Sequence, residues 1–155
     1  MLTTHVTEKN LVSYPMAETT TSELESLMSD YTALWNGDFS KLDAVAESVD
    51  VYHHAAPDGE IHGREALEAF IREFHSGFPD FNITVDEWIS SNGIVMKEWT
   101  MTGTHEGEFT GIPPTGHEIE STGMAKILVA DGKVQEDRLY YNPQVTIEQL
   151  GLIDD

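Results

Sequence analysis

Cysteine is missing from this chain. That excludes disulfides, thiolate metal ligands and a cysteine nucleophile. Bases are scarce too: 8 lysines and arginines stand against 28 acids, for a net charge of −20. So acidic a surface repels nucleic acid and anionic membranes, and neither is an expected partner. No apolar run approaches membrane-spanning length, and no basic segment followed by an apolar one opens the sequence. The expected location is cytoplasmic. The 7 histidines form no HExxH and no pair at helical i, i+4 spacing, so no metal is expected. The glycines of 103 to 116 flank a hairpin rather than a strand–helix turn, which argues against a phosphate loop, and there is no serine elbow. No cofactor is expected.

What is present is enough for one folded domain. Apolar residues make up 39% of 155 positions, and their spacing is periodic. Disorder from excess charge is therefore excluded for most of the chain. The charge itself resists compaction unless salt screens it, which points to a halophilic protein from a high-salt cytoplasm. Residues 1–18 show no periodicity and read as an N-terminal arm; 19–155 read as the domain.

Thr20, Thr21 and Ser22 are candidate caps for a helix with Leu24, Leu27, Met28, Tyr31, Leu34 and Trp35 at helical spacing. Asn36-Gly37 ends it. The spacing predicts a short second helix over 40–47, a strand over 49–54 and a third helix over 64–75. Longer strands follow over 81–90, 94–105, 118–130 and 133–141. Ser91-Asn92-Gly93 and Asp131-Gly132 are hairpin turns, because Asn and Gly accept the positive φ needed there. A short helix is predicted over 144–150. Helices followed by an antiparallel meander give an α+β fold, with helices on one face of a curved sheet.

The stretch GTHEGEFTGIPPTGHEIESTGM resembles the SnoaL-like polyketide cyclases, a branch of the NTF2-like superfamily. YTALWNGDFSKLDAVAESV, HGREALEAFIREFHSGFPDF and DGKVQEDRLYYNPQVTIEQLGL resemble other segments of that family, so the likeness covers roughly 30–152. The resemblance implies a cone: an antiparallel sheet curled around the N-terminal helices, with a ligand pocket at the wide end. It also implies pairing through the outer sheet face into a homodimer or higher oligomer. That face is expected to include Thr100, Thr102, Ile119 or Thr122 rather than charges alone.

The family's last strand has a glutamate near its start and an acid near its end, before a QLG-type tail. Glu136 matches the first, and Asn142 stands at the second. Ring closure needs a group that takes and returns a proton, and an amide does neither. Another acid must act, or the chain is not a cyclase. By parity Glu136, Arg138, Tyr140 and Asn142 share one strand face, while Asp137 and Tyr141 share the other. Glu136 is the first choice of base, its alternative a structural pair with Arg138. Asn142 either orients a ligand or closes the strand.

His53 and His54 point to opposite faces. Family resemblance favours His54 for the pocket, the alternative being an edge histidine. His105 shares parity with Trp99 and Met101 and either donates to an oxyanion or closes the loop mouth. His75 is expected at the carboxyl end of its own helix. Trp99, Met101, Arg138, Tyr140, Tyr31 and Trp35 complete the expected ligand contacts. Three functions stand side by side: a cofactor-free lyase or isomerase acting on a small apolar or aromatic carbonyl compound, a non-catalytic module binding such a ligand, and a dimerisation unit of the same fold.

Overall fold

Thr20 opens the first helix by a reciprocal cap. Its hydroxyl accepts the Glu23 N–H at 3.1 Å, and the Glu23 carboxylate accepts the Thr20 N–H at 3.4 Å. The computed structural model describes residues 20–152; the N-terminal arm expected over 1–18 lies outside them. Helix α1 (Thr21–Trp35) buries the six apolar residues that its periodicity singles out. Asn36 then ties the helix end to the sheet, accepting the Ile83 N–H at 2.7 Å and donating to the Ile83 carbonyl at 3.0 Å.

The expected second helix is shorter than its pattern. A 3₁₀ turn spans Phe39–Ala44, and strand β1 (Val45–Tyr52) starts where the helix was to continue. The β-branched Val45, Val49 and Val51, all fully buried, favour the strand. A short strand β2 (Glu60–His62), not anticipated, pairs with β1. Helix α2 (Arg64–Gly77) presents Leu67, Phe70, Ile71 and Phe74 to the core. His75 at its carboxyl end bonds across to the Trp35 carbonyl of α1 at 2.9 Å, rather than to its own helix.

Strands β3 (Asn82–Ser91), β4 (Ile94–Thr104), β5 (Glu118–Ala130) and β6 (Lys133–Tyr141) form the meander, and helix α3 (Pro143–Gln149) follows. The sheet runs β2-β1-β6-β5-β4-β3. Its β1–β6 pair is parallel, so the curved sheet is mixed rather than wholly antiparallel. Helix α2 and strands β2 to β5 lie between β1 and β6 in the chain and supply the crossover that a parallel pair requires. Otherwise this is the α+β, NTF2-like cone that the resemblance implies.

Register decides which side chains enter the cone. Lys97 lies opposite Ala125, which lies opposite Leu139; Trp99 lies opposite Gly123, which lies opposite Tyr141. The inner face of β5 is thus small at two successive inward positions. The Trp99 indole crosses the strand over Gly123, where a Cβ would meet the Tyr140 carbonyl at 2.7 Å. No side chain larger than hydrogen fits there.

Candidate ligand cavity

The wide end of the cone holds a cavity of about 330 Å³. Helix α2 contributes Phe74, and the residue after it, Phe78, adds a second ring. The sheet adds Met101, Ile119 and Tyr141, the turn after β1 adds His54 and Ala55, and the C-terminal segment adds Pro143, Thr146, Ile147, Leu150 and Leu152. The loop between β4 and β5 closes the remaining side with Phe109, Thr110 and Ile112. That loop is held by His105. Its backbone exchanges bonds with His117 and Gly116 at 2.9 and 2.8 Å, and its Nδ1 accepts the Thr115 N–H at 3.2 Å. Gly107 passes so close to the Ser76 carbonyl that a Cβ would collide with it. At the tip, Thr110 and Gly111 both have positive φ, which turns the chain tightly and sets Phe109 opposite Ile112.

Two buried polar groups lie behind this wall. The Ala55 N–H donates to His53 Nδ1 at 3.1 Å, and the Tyr141 hydroxyl lies 3.3 Å from the same nitrogen. A nitrogen that accepts carries no proton, so Tyr141 donates to it. Burial, with a smaller contribution from His54, pushes the His53 pKa down to about 3, so His53 is neutral at ordinary pH. Burial pushes the Tyr141 hydroxyl up to about 12, against the opposing bond from Ala55. Deeper in the cone, the Tyr31 hydroxyl donates to Asp137 Oδ2 at 2.6 Å, and Lys97 Nζ sits 5.2 Å from the Tyr31 ring centre. Burial raises the Asp137 pKa, with Lys97 and Tyr31 opposing; burial lowers that of Lys97, with Asp137 opposing.

The expected site residues do not all meet here. His54 and Met101 line the cavity. Trp99, Tyr31 and Trp35 are buried in the cone without reaching its wall. His105 is fully buried, stacked on Phe78, and serves the loop rather than the lining. Glu136, Arg138 and Tyr140 take the opposite face of β6 from the one expected. Glu136 Oε2 accepts from Arg138 Nε at 3.1 Å, the Arg138 guanidinium lies over Tyr52, and Tyr140 is 58% exposed. The inward acid is Asp137, only 1% exposed. The signal was in the strand: Leu139 and Tyr141 share the parity of Asp137, and apolar partners mark the buried face. Asn142 is exposed and caps α3, accepting the Gln144 N–H at 3.0 Å. Ile119, expected outside, is buried and faces the cavity. Thr146, Phe74, Phe78 and Ile147 were missed as lining residues, because no local pattern distinguishes a cavity wall from a core.

The chain matches the SnoaL-like polyketide cyclase family over residues 25–150. It belongs to that family. No curated protein matches this SnoaL-like chain. TsrD from Streptomyces laurentii resembles it with a TM-score of 0.77 at 22% identity, over 88% of this chain and 100% of TsrD. A protein from Jannaschia sp. CCS1, assigned as a SnoaL-like polyketide cyclase, gives 0.76 at 19%, over 91% of this chain and 99% of that one. AclR from Streptomyces galilaeus, assigned as a hydroxylase, gives 0.73 at 25%, over 88% and 85%. These are likenesses of fold. Among the described residues no helix is long and apolar enough to cross a membrane, and no three His, Asp or Glu side chains gather as a metal site.

The state of His53 has a pH consequence. Its folded pKa is depressed to about 3, so between that value and its ordinary 6.5 the unfolded chain binds the extra proton. Stability from this group is complete above pH 6.5 and is lost as pH falls towards 3, by an amount on the order of 5 kcal/mol. Asp137, with a raised pKa, acts in the opposite sense and moderates the loss. A His53→Phe variant keeps an aromatic ring among Trp35, Phe70 and Phe74 but cannot titrate. Urea unfolding from pH 7 to pH 4 is expected to show a shallower acid decline in the variant. Equal slopes would mean that His53 titrates normally.

Proposed function

We propose that this SnoaL-like chain holds a small, largely apolar carbonyl compound in the cone cavity. One observation carries the reading. The described lining is aliphatic and aromatic apart from His54, Thr110 and Thr146, and none of those side chains is a carboxylate, lysine or arginine. Such a wall gains from contact with a neutral apolar ligand and offers an anion no counter-charge. The polyketide ring closure in the family's name is not the reading favoured here. The matched acid position carries Asn142, an exposed helix cap, and Glu136 faces away from the cavity. Binding of neutral bicyclic ketones, followed by calorimetry, tests the proposal. Ala55→Phe, which places a ring in the cavity, is expected to weaken binding about tenfold or more, while Glu136→Gln leaves it unchanged. Unimpaired binding by the Ala55 variant would place the ligand elsewhere.

A second reading rests on His54. It lines the cavity beside Tyr141, ring centres 5.0 Å apart, and is the imidazole among the described lining side chains, with one ring nitrogen able to accept a proton and the other to donate one. A cofactor-free lyase or isomerase would use it to take a proton next to a ligand carbonyl. Solvent deuterium entering that position of a bound ketone, and a loss of about a hundredfold in the rate for His54→Gln, is the expected result. Exchange at the same rate in the variant would remove His54 from the chemistry.

We also propose that the chain pairs through the outer sheet face. Ile89 and Met96 are direct partners there, as are Met124 and Tyr140, and all four are exposed. The charge of −20 opposes such pairing until salt screens it. Light scattering is expected to give a dimer mass in molar potassium chloride and a shift towards monomer as salt is removed. A monomer at every salt concentration would defeat both the pairing and the high-salt setting.

A further inference from the structure

The outer face of the sheet carries its charges in an order that the single chain does not use. Strand register sets outward side chains in two neighbouring rows across β3, β4, β5 and β6. Glu87, Glu98, Met124 and Tyr140 form one row, and Ile89, Met96, Lys126 and Arg138 form the next. Two acids thus stand directly opposite each other at one corner of the patch, and two bases do so at the diagonal corner. Like charges in directly opposed positions destabilise a strand pair. A chain with 28 acids has ample means to surround each of its 8 bases with opposite charge, yet two of the bases are neighbours here. Among the described residues Glu87, Glu98 and Lys126 form no ion pair, and Arg138 meets Glu136 on its own strand at 3.1 Å. Both glutamates are exposed, and Lys126 and Arg138 are half-buried. The two remaining corners are apolar.

We propose that these corners select a second copy of the chain as partner and set its register, the Glu87–Glu98 corner of each copy meeting the Lys126–Arg138 corner of the other. The assignment rests on the reading of the outer face as a pairing surface and names the contacts that fix the pairing. A two-fold interface is self-complementary, so what lies on one side of its axis meets what lies on the other. Neighbouring strands are about 4.8 Å apart and successive outward residues about 6.8 Å apart along a strand, so the line through Met96 and Met124 crosses the patch diagonally. An axis along that line brings acids over bases twice in one interface. It also sets each apolar corner against its own counterpart, Ile89 with Met96 at one end and Met124 with Tyr140 at the other. An axis along the strands, or across them, would place each acid on apolar side chains and desolvate it unpaired. An axis along the opposite diagonal would set acid on acid and base on base. Salt screens the long-range repulsion of a net charge of −20, whereas close pairs shut off from solvent are screened much less. Salt thus permits the pairing, and the corners choose its register.

The test reverses one corner at a time in the full chain. One variant carries Glu87→Lys with Glu98→Lys, the other Lys126→Glu with Arg138→Glu. Light scattering in molar potassium chloride gives the mass of wild type, of each variant alone and of the two variants mixed in equal amounts. Each variant alone sets like charges against each other and is expected to pair at least about tenfold more weakly than wild type. In the mixture every reversed corner meets its complement, and the dimer mass is expected to return. Pairing of wild-type strength by either variant alone would overturn the charge register and leave the pairing reading intact. A mixture that stays monomeric, although both variants melt cooperatively, would overturn the register as well. If a reversed variant does not melt cooperatively, Glu98→Gln, Lys126→Gln and their combination take its place. A combined loss of pairing smaller than the sum of the single losses supports the contact, and strict additivity overturns it. A wild-type monomer at every salt concentration would overturn the pairing reading and the register with it.

Discussion

The register of β4, β5 and β6 is the constraint on which the interior depends. It brings Ala125 and Gly123 into line between larger residues on either side. Side chains on β4 can then lean across β5 instead of standing upright from it. Trp99 crosses over Gly123 and packs against Tyr141, ring centres 5.6 Å apart. The wall that Tyr141 presents to the cavity is backed in this way by an indole. A shift of one residue would turn every inward side chain outward, Asp137 and Tyr141 included.

Beneath that wall the cone is closed by a polar arrangement rather than by hydrocarbon alone. Lys97, Asp137 and Tyr31 are all buried, and they are drawn from β4, β6 and α1. Burying charge is costly, and an ion pair seldom repays the whole cost. The short bond from Tyr31 to Asp137 offsets part of it, and the Lys97 charge another part. Removing any one member leaves a buried group uncompensated, which typically costs about 3–5 kcal/mol. The group joins helix α1 to the sheet. It also keeps the inward acid of the last strand away from the cavity, with Leu139 between Asp137 and Tyr141 along the strand.

The cavity inherits its character from this division. Charge is kept either in the sealed end of the cone or on its outside, where Glu136 meets Arg138. What remains between them is a wall mostly of rings and aliphatic chains, with His54, Thr110 and Thr146 among the described lining residues. Asn142 shows how a family position changes its work. At the end of β6 its side chain accepts the N–H that starts α3, and that helix carries one side of the cavity. An amide does this as well as a carboxylate.

Most elements were legible in the sequence because they rest on local physics. The apolar spacing of α1 and α2, the Asn-Gly and Asp-Gly turns and the alternation along β4 each arise from neighbours a few residues apart. The short helix over 40–47 stops early for a related reason: Val45, which fits a helical stripe, fits a buried strand better once β6 lies beside it. The site was less legible. Parity showed that Glu136 and Asp137 face opposite ways, and Leu139 and Tyr141 beside Asp137 marked the buried face, a signal outweighed by the family match at Glu136. Among the seven histidines, family resemblance favoured His54 and strand parity put His105 with Trp99 and Met101; the fold buried His53 and His105 and left His54 on the cavity wall. By itself, then, the sequence determined the elements, the turns, the absence of thiol chemistry and the acidic surface. Tertiary structure alone decided which side chains form a cavity wall and which form the core, because that follows from long-range register and packing that no local pattern encodes.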